Sequence, residues 1–244
     1  MAMTEDFLVH TSHLGDILVS TNIIYNFAMQ NGFVAAVRFS KPEIGSALLR
    51  VFDYGVHLVE GGSGGLLRHG LTFEEFVPGV RGLSAYWSGT RFASMTVRPR
   101  MLTGFSLPAP RVACEGSGCY QVCQFDSSSP KSYKRSLSVE EVDAVVKRFD
   151  RGGSIHIGKV GCSAYAGRLG THYSDIERQA CFVLCSDSFF GIDSGMSHLA
   201  GSLGKGGDVI VQTEHEGFAS CVRTMYGFMY PKLVLHDRRD IQPR

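Results

Sequence analysis

The sequence predicts an α/β fold of two lobes, each a parallel sheet covered by helices. Three observations carry this. Short apolar runs of strand composition alternate with stretches of helical spacing from the N-terminus to Val59. A proline- and glycine-bearing stretch, Pro108 to Gly118, interrupts the pattern, and the alternation restarts at Tyr120. A short apolar strand, Phe189-Phe190-Gly191-Ile192, then runs straight into Asp193-Ser194-Gly195 and a helix, a junction whose free backbone N–H groups suit an anion.

The elements follow in order. Phe7 to Ser12 reads as the first strand, His13-Leu14-Gly15-Asp16 as a turn, and Ile17 to Asn31 as a helix stopped by Gly32. Phe33 to Phe39 is a second strand, Glu43 to Phe52 a helix opened by Pro42, and Val56 to Val59 a third strand. Glu60 to Gly70, with Gly61-Gly62-Ser63-Gly64-Gly65, is a loop that serves either as an active-site flap or as a surface connection. Leu71 to Thr103 shows no clear period. Pro108 to Gly118 reads as a linker that breaks helix and strand alike. In the second half, Tyr120 to Phe125 is a strand. Ser138 and Glu141 form a capping box for a helix with Val139, Val142, Val146 and Phe149 on its apolar face. Ser154 to Ile157 is a strand, Tyr173 to Ala180 a helix, and Phe182 to Cys185 and Phe189 to Ile192 are short strands. Gly195 to Leu203 is a helix and Asp208 to Gln212 a strand. The expected lobes, both Rossmann-like, are residues 1–112 and 113–244.

Bulk properties narrow the function classes. The 244 residues are 44% hydrophobic and 19% charged, ordinary for a globular protein. A net charge of +1 provides no global attraction to nucleic acid or anionic membrane. No run of 18 or more apolar residues is present, so no transmembrane helix is expected. The acidic start, Thr4-Glu5-Asp6, lacks the basic opening of a secretory signal and suggests a cytoplasmic protein. Of the seven cysteines, Cys114, Cys119, Cys123 and Cys181, Cys185 lack the paired spacing of a zinc site; free, mostly buried thiols are expected, and no metal.

The stretch Asp193-Ser194-Gly195-Met196-Ser197-His198-Leu199-Ala200-Gly201-Ser202-Leu203-Gly204 resembles the D-[ST]-G-x-x-H-L-A-x-A-L-G motif of glycosyltransferase family 9, the ADP-heptose:lipopolysaccharide heptosyltransferases of GT-B fold. Ser12-His13-Leu14-Gly15-Asp16-Ile17-Leu18 resembles the family's N-terminal element, whose Asp is the proposed catalytic base. Gln124 to Ser129, followed by Lys134-Arg135, resembles its phosphate loop. The chain departs from the family at Asn22, where Pro is usual, and at Ser136-Leu137, where Trp-Pro is usual. It is also shorter than typical members, so the N-terminal, acceptor lobe is expected to be compact.

The resemblance implies transfer of a sugar from a nucleoside-diphosphate sugar to an acceptor hydroxyl, inverting and without a metal. The donor is a co-substrate, and no cofactor is expected. Asp16 is the candidate general base, with His13 a weaker one; Asp16 equally suits a helix N-cap. Ser127, Ser128, Ser129, Lys134, Ser194 and Gly195 are candidates for the donor phosphates, and Asp193 for sugar hydroxyls. His198 either reaches phosphate or packs in the helix. Glu214, His215 and Glu216 follow a strand end and are candidates for nucleotide or sugar contact. The acceptor is a glycan, small molecule, protein or modified nucleic acid. Arg98, Arg100 and Arg111, with Tyr86 and Trp87, suit either a nucleic-acid contact or a solvated linker. Two alternatives keep the fold: another GT-B enzyme, such as an epimerase or hydrolase acting on nucleotide sugars, or a non-enzymatic nucleotide-binding protein.

Overall fold

The computed structural model describes residues 3–11, 13–61, 73–80, 100–114, 119–126, 136–157, 175–212 and 216–241, the side chains of 216–218 excepted. The first sheet contains β1 (Thr4–Val9), β2 (Val34–Phe39) and β4 (Leu58–Glu60), all parallel in the order β1-β2-β4. Its crossover helix α1 spans Leu14–Asn31 and ends at Gly32, whose φ of 69° lets its N–H reach the carbonyl of Ala28. The helix begins three residues earlier than the sequence suggests. His13, not Asp16, occupies the N-cap, and Asp16 lies in the first turn, where a carboxylate is favoured by the helix dipole. Twelve residues of α1 are buried, including Ile17, Leu18, Asn22, Ile23 and Phe27. A helix buried on several sides is covered on several sides, and α1 is enclosed between the first sheet and the second lobe.

Helix α2 (Pro42–Val51) opens on its proline as expected and leads into β3 (Phe52–Asp53). The linker reading of Pro108 to Gly118 needs correction here. Ala109–Pro110 forms β5, which pairs antiparallel with β3. Proline is tolerated there because the strand is a short edge.

The second sheet is wholly parallel and has five strands: β6 (Gln121–Gln124), β7 (Ile155–His156), β8 (Ser188–Ile192), β9 (Gly207–Val211) and β10 (Leu233–Asp237). The spatial order β10-β9-β8-β6-β7 is the doubly wound order 2-1-3-4-5 when β6 is counted first. Consecutive residues serve opposite faces. Phe189, Val209 and Val122 enter the main core, while Phe190, Ile210 and Cys123 meet Val142 and Val145 of α3 (Val139–Phe149) on the other side. The main core is continuous from the first sheet through α1 to the second. These two parallel sheets with their helices are the α/β, two-lobed architecture read from the sequence.

Helix α3 carries the expected capping box: the Glu141 N–H donates to Ser138 Oγ at 3.3 Å and the Ser138 N–H to Glu141 Oε2 at 2.7 Å. Its buried face is Val142 and Val145, whereas Val139 is 49% exposed. Helix α4 runs Ile176–Cys185, so Phe182 to Cys185 is helix and not the expected strand. Ile176, Ala180 and Val183 are its buried, helically spaced residues. Helix α5 (Gly195–Ser202) is as expected, and α6 (Glu216–Met229) and β10 complete a lobe whose last elements the sequence reading left unassigned. Among the described residues no helix is long and apolar enough to cross a membrane.

The cysteine expectation is also corrected. Cys114 and Cys185 form a disulfide with Cα atoms 5.2 Å apart, joining the segment after β5 to the end of α4. Cys123 is buried, but Cys119 is exposed and Cys181 and Cys221 are half-buried. The bridge closes a loop of 71 residues. Cys185→Ser should therefore cost about 2–4 kcal/mol and lower Tm by about 5–15 °C in calorimetry; an unchanged Tm would show that the bridge does not constrain the unfolded chain.

A second stability prediction concerns Glu141. Its carboxylate accepts two hydrogen bonds from Arg238, both 2.6 Å, and this guanidinium holds its pKa below the usual range. A carboxyl with a lowered folded pKa stabilises the fold above its unfolded pKa, and the gain is lost as pH falls through the folded value. Arg238→Gln should be less stable than wild type by about 0.5–1 kcal/mol near pH 7. The two proteins should converge in acid below the folded pKa, as followed by urea unfolding at a series of pH values.

Candidate active site

The strand order locates the site before any side chain is considered. The order of strand addition in the second sheet reverses between β6 and β8, and open α/β sheets bind ligands outside the carboxyl ends of the strands at that switch point. The carboxyl end of β6 carries Gln124, and β8 ends at Ile192 and is followed by Asp193 and Ser194. Gly191 allows the two strands to pair here, since a Cβ on it would lie 2.2 Å from the Gln124 carbonyl oxygen. Ser194 Oγ donates to Gln124 Oε1, tying the two strand ends together.

Ser194 is the N-cap of α5. Its Oγ accepts from the Met196 N–H at 3.3 Å, and its own N–H donates to Ser197 Oγ at 2.9 Å. Asp193 is 6% exposed and its Oδ1 accepts from the Tyr226 hydroxyl at 2.7 Å. Tyr226 Oη lies 2.8 Å from Ser197 Oγ, so a second hydroxyl joins the network. His198 Nε2 is 3.6 Å from the same Asp193 oxygen, and the His198 ring packs between Tyr226 and Tyr230, with centroids at 5.0 and 5.7 Å. Burial raises the pKa of Tyr226, and the Asp193 charge adds to the shift. Burial likewise raises those of Tyr230 and Tyr54. All three phenols stay protonated, and Tyr226 and Tyr54 are hydrogen-bond donors.

The amino ends of α1 and α5 meet. A Cβ on Gly15 would lie 2.7 Å from His198 Cδ2 and 3.4 Å from Gly195 Cα, while one on Gly195 would lie 3.0 Å from Leu14 Cβ. Asp16 follows at once and is half-buried, its Oδ2 accepting from Thr11 Oγ1 at 3.2 Å. The structure thus brings Leu14 and Gly15, the two residues before Asp16, against Gly195 and His198 of the opposite lobe. His13 lies at the same helix end but is exposed. Two turns along α1, Asn22 Nδ2 donates to Ser202 Oγ at 2.9 Å, and Tyr54 Oη donates to Asn22 Oδ1 at 3.4 Å. Ser202 in turn donates to Tyr230 at 3.3 Å.

Ser127, Ser128, Ser129 and Lys134 lie outside the described residues, as do Glu214, His215, Arg98, Tyr86 and Trp87. Glu216 is the first residue of α6. Arg111 donates to Asp53 at 2.9 Å and Arg100 is exposed. Sequence reasoning missed Gln124 as a partner of Ser194, and it missed Tyr226, Tyr230 and Asn22. Gln124 was legible as the end residue of a strand feeding the switch point. Tyr226 lies on α6 and Tyr230 directly follows it, and the spacing of Val222, Met225, Tyr226 and Met229 reads as ordinary core. Among the described residues no group of three or more His, Cys, Asp or Glu is gathered to hold a metal ion.

The helix crossing makes a differential prediction. Gly15→Ala forces His198 or α1 to move and should destabilise by about 1–3 kcal/mol. Gly227→Ala, in α6 with nothing within 4 Å of its Cβ position, should instead stabilise by roughly 0.5–1 kcal/mol. Chemical unfolding of both variants reads the two signs, and equal effects would refute the close crossing.

No protein-family model matches the chain, and no match arises among curated proteins. Among solved structures the chain is similar to the bacterial iron-containing dodecameric glycosyltransferase TibC from enterotoxigenic E. coli, at 15% identity and a TM-score of 0.44. The similarity covers 87% of this chain and 59% of that one, so the chain spans well under two thirds of that protein's length. At that level the likeness bears on no residue of the site.

Proposed function

We propose that the protein is a glycosyltransferase that moves a sugar from a nucleoside-diphosphate donor to an acceptor hydroxyl, with inversion and without a metal. One observation supports the reading: the N-termini of α1 and α5 meet at Gly15 and Gly195, the residue before Asp16 in one lobe and the second residue after Asp193 in the other. A transferase needs such a pairing, with one lobe to deprotonate the acceptor and one to grip the donor. In this reading residues 1–112 serve the acceptor and 113–244 the donor. Asp16 is the general base, with His13 at its side. Asp193 holds sugar hydroxyls, the Gly195 amide lies against the leaving group, and Ser127, Ser128, Ser129 and Lys134 take up the charge of the departing diphosphate. The family-9 motif supports the donor class; the sugar and the acceptor stay at the level of class.

A second reading is favoured by a specific observation. Asp193, Ser194 and His198 are each at most 7% exposed, and Asp193 and Ser194 already bond to groups within the protein. A segment so satisfied also suits a non-catalytic protein in which it only packs the lobes together.

The experiment that separates them is a thermal-shift panel of ADP, UDP, GDP, CDP and dTDP, followed by product analysis with the matching nucleotide sugar. Wild type should gain Tm with one nucleotide and transfer or release its sugar. Asp16→Asn should keep the nucleotide shift and lose transfer by about 100-fold or more. No shift with any of the five at millimolar concentration would leave the packing reading standing.

A further inference from the structure

The Asp193 carboxylate is held by a ring of donors that closes on its own backbone. The Ser194 N–H donates to Ser197 Oγ at 2.9 Å, Ser197 Oγ meets Tyr226 Oη at 2.8 Å, and Tyr226 Oη donates to Asp193 Oδ1 at 2.7 Å. Asp193 and Ser194 are neighbours in the chain, so the ring fixes the carboxylate relative to the amino end of α5. The one ring member from outside the β8–α5 segment is Tyr226, which is fully buried on α6 and braced by Tyr230 at 5.5 Å and His198 at 5.0 Å between ring centroids. The phenol contributes a single hydrogen, and it goes to the charged acceptor, the stronger of the two bonds open to it.

Stability does not explain this arrangement. Removing a carboxylate from water costs several kcal/mol, and a well-packed apolar pair of similar volume holds a core equally well or better. A buried acid kept in one orientation by a dedicated donor is better explained by what the acid must touch. We propose that Tyr226 is a positioning residue that aims the Asp193 carboxylate at the hydroxyls of the donor sugar, and so sets affinity for the sugar-bearing nucleotide without touching it. This rests on the glycosyltransferase reading above.

The test compares binding of each nucleoside diphosphate with binding of its hexose conjugate, using UDP with UDP-glucose, ADP with ADP-glucose and GDP with GDP-mannose, by calorimetry. Tyr226→Phe keeps the ring and removes one oxygen. It should bind the bare diphosphate as wild type does and the conjugate about tenfold more weakly, the effect of losing a hydrogen bond to a charged group. On an Asp193→Asn background it should cause no further loss, because it acts through that carboxylate. Should Tyr226→Phe not fold, Tyr226→Met removes the same hydroxyl and should show the same sugar-selective loss. Equal weakening of diphosphate and conjugate, or no change in either, would overturn the proposal and leave the transferase reading intact. Binding of no nucleotide by wild type would overturn both.

Discussion

The contact on which the rest of the structure depends is the crossing of α1 and α5 at Gly15 and Gly195. With a Cβ at either position, atoms of the partner helix would lie at 2.7–3.0 Å, inside van der Waals contact. Helices with ordinary side chains at the crossing pack 8–10 Å apart; two glycines let these amino ends approach more closely. That approach makes α1 a member of both lobes and continues one apolar core through them. It also sets the first βα turn of one sheet against the β8–α5 turn of the other. Every polar contact at the centre, from Asp16 to Tyr226, is arranged around that point.

The polar groups along the same interface give the crossing its register. Asn22 and Ser202 are both at most 1% exposed and bond to each other across the lobes, with Tyr54 and Tyr230 completing the set. Each net hydrogen bond contributes only about 1 kcal/mol, yet a buried amide left unpaired by a slip of the helices would cost more. The network therefore penalises wrong registers more than it stabilises the right one. It also accounts for a departure seen in the sequence. Asn22 stands where proline is usual in the resembled family, and its partner Ser202 stands at a position where that motif has alanine. The two unusual residues are each other's partner.

How much of this was legible varies with the kind of signal. Turn and cap chemistry read true: Gly32 stops α1, Pro42 opens α2 and the Ser138–Glu141 box starts α3. These signals act over three or four residues and need no tertiary partner. The misreadings arose where local preference is ambiguous. Phe182-Val183-Leu184 is a short apolar run that suits a strand or a buried helix turn, and packing of Val183 decides for helix. Ala109-Pro110 became a strand only because β3 lies beside it. At the site, the motif's backbone placement was legible and its side-chain partners were not. Tyr226 reaches Asp193 from 33 residues away, and no sequence period encodes that.

The electrostatics of the crossing assign different tasks to its parts. Each helix amino end carries roughly half a positive charge, so the two together offer about one. Asp16 lies in the first turn of α1, and Asp193 directly precedes the N-cap of α5. Helix amides there attract an anion, and carboxyl oxygens attract hydroxyl hydrogens. In the proposed reaction this is the place for the sugar and the acceptor hydroxyl, between a base from one lobe and a gripping carboxylate from the other. In the same proposal the diphosphate lies between the Gly195 amide and the carboxyl end of β6, where the chain continues into Ser127, Ser128, Ser129 and Lys134. On this proposed division the Asp-Ser-Gly turn serves the sugar through Asp193 and the leaving group through its backbone amide, and Lys134 is the candidate for the balancing cation.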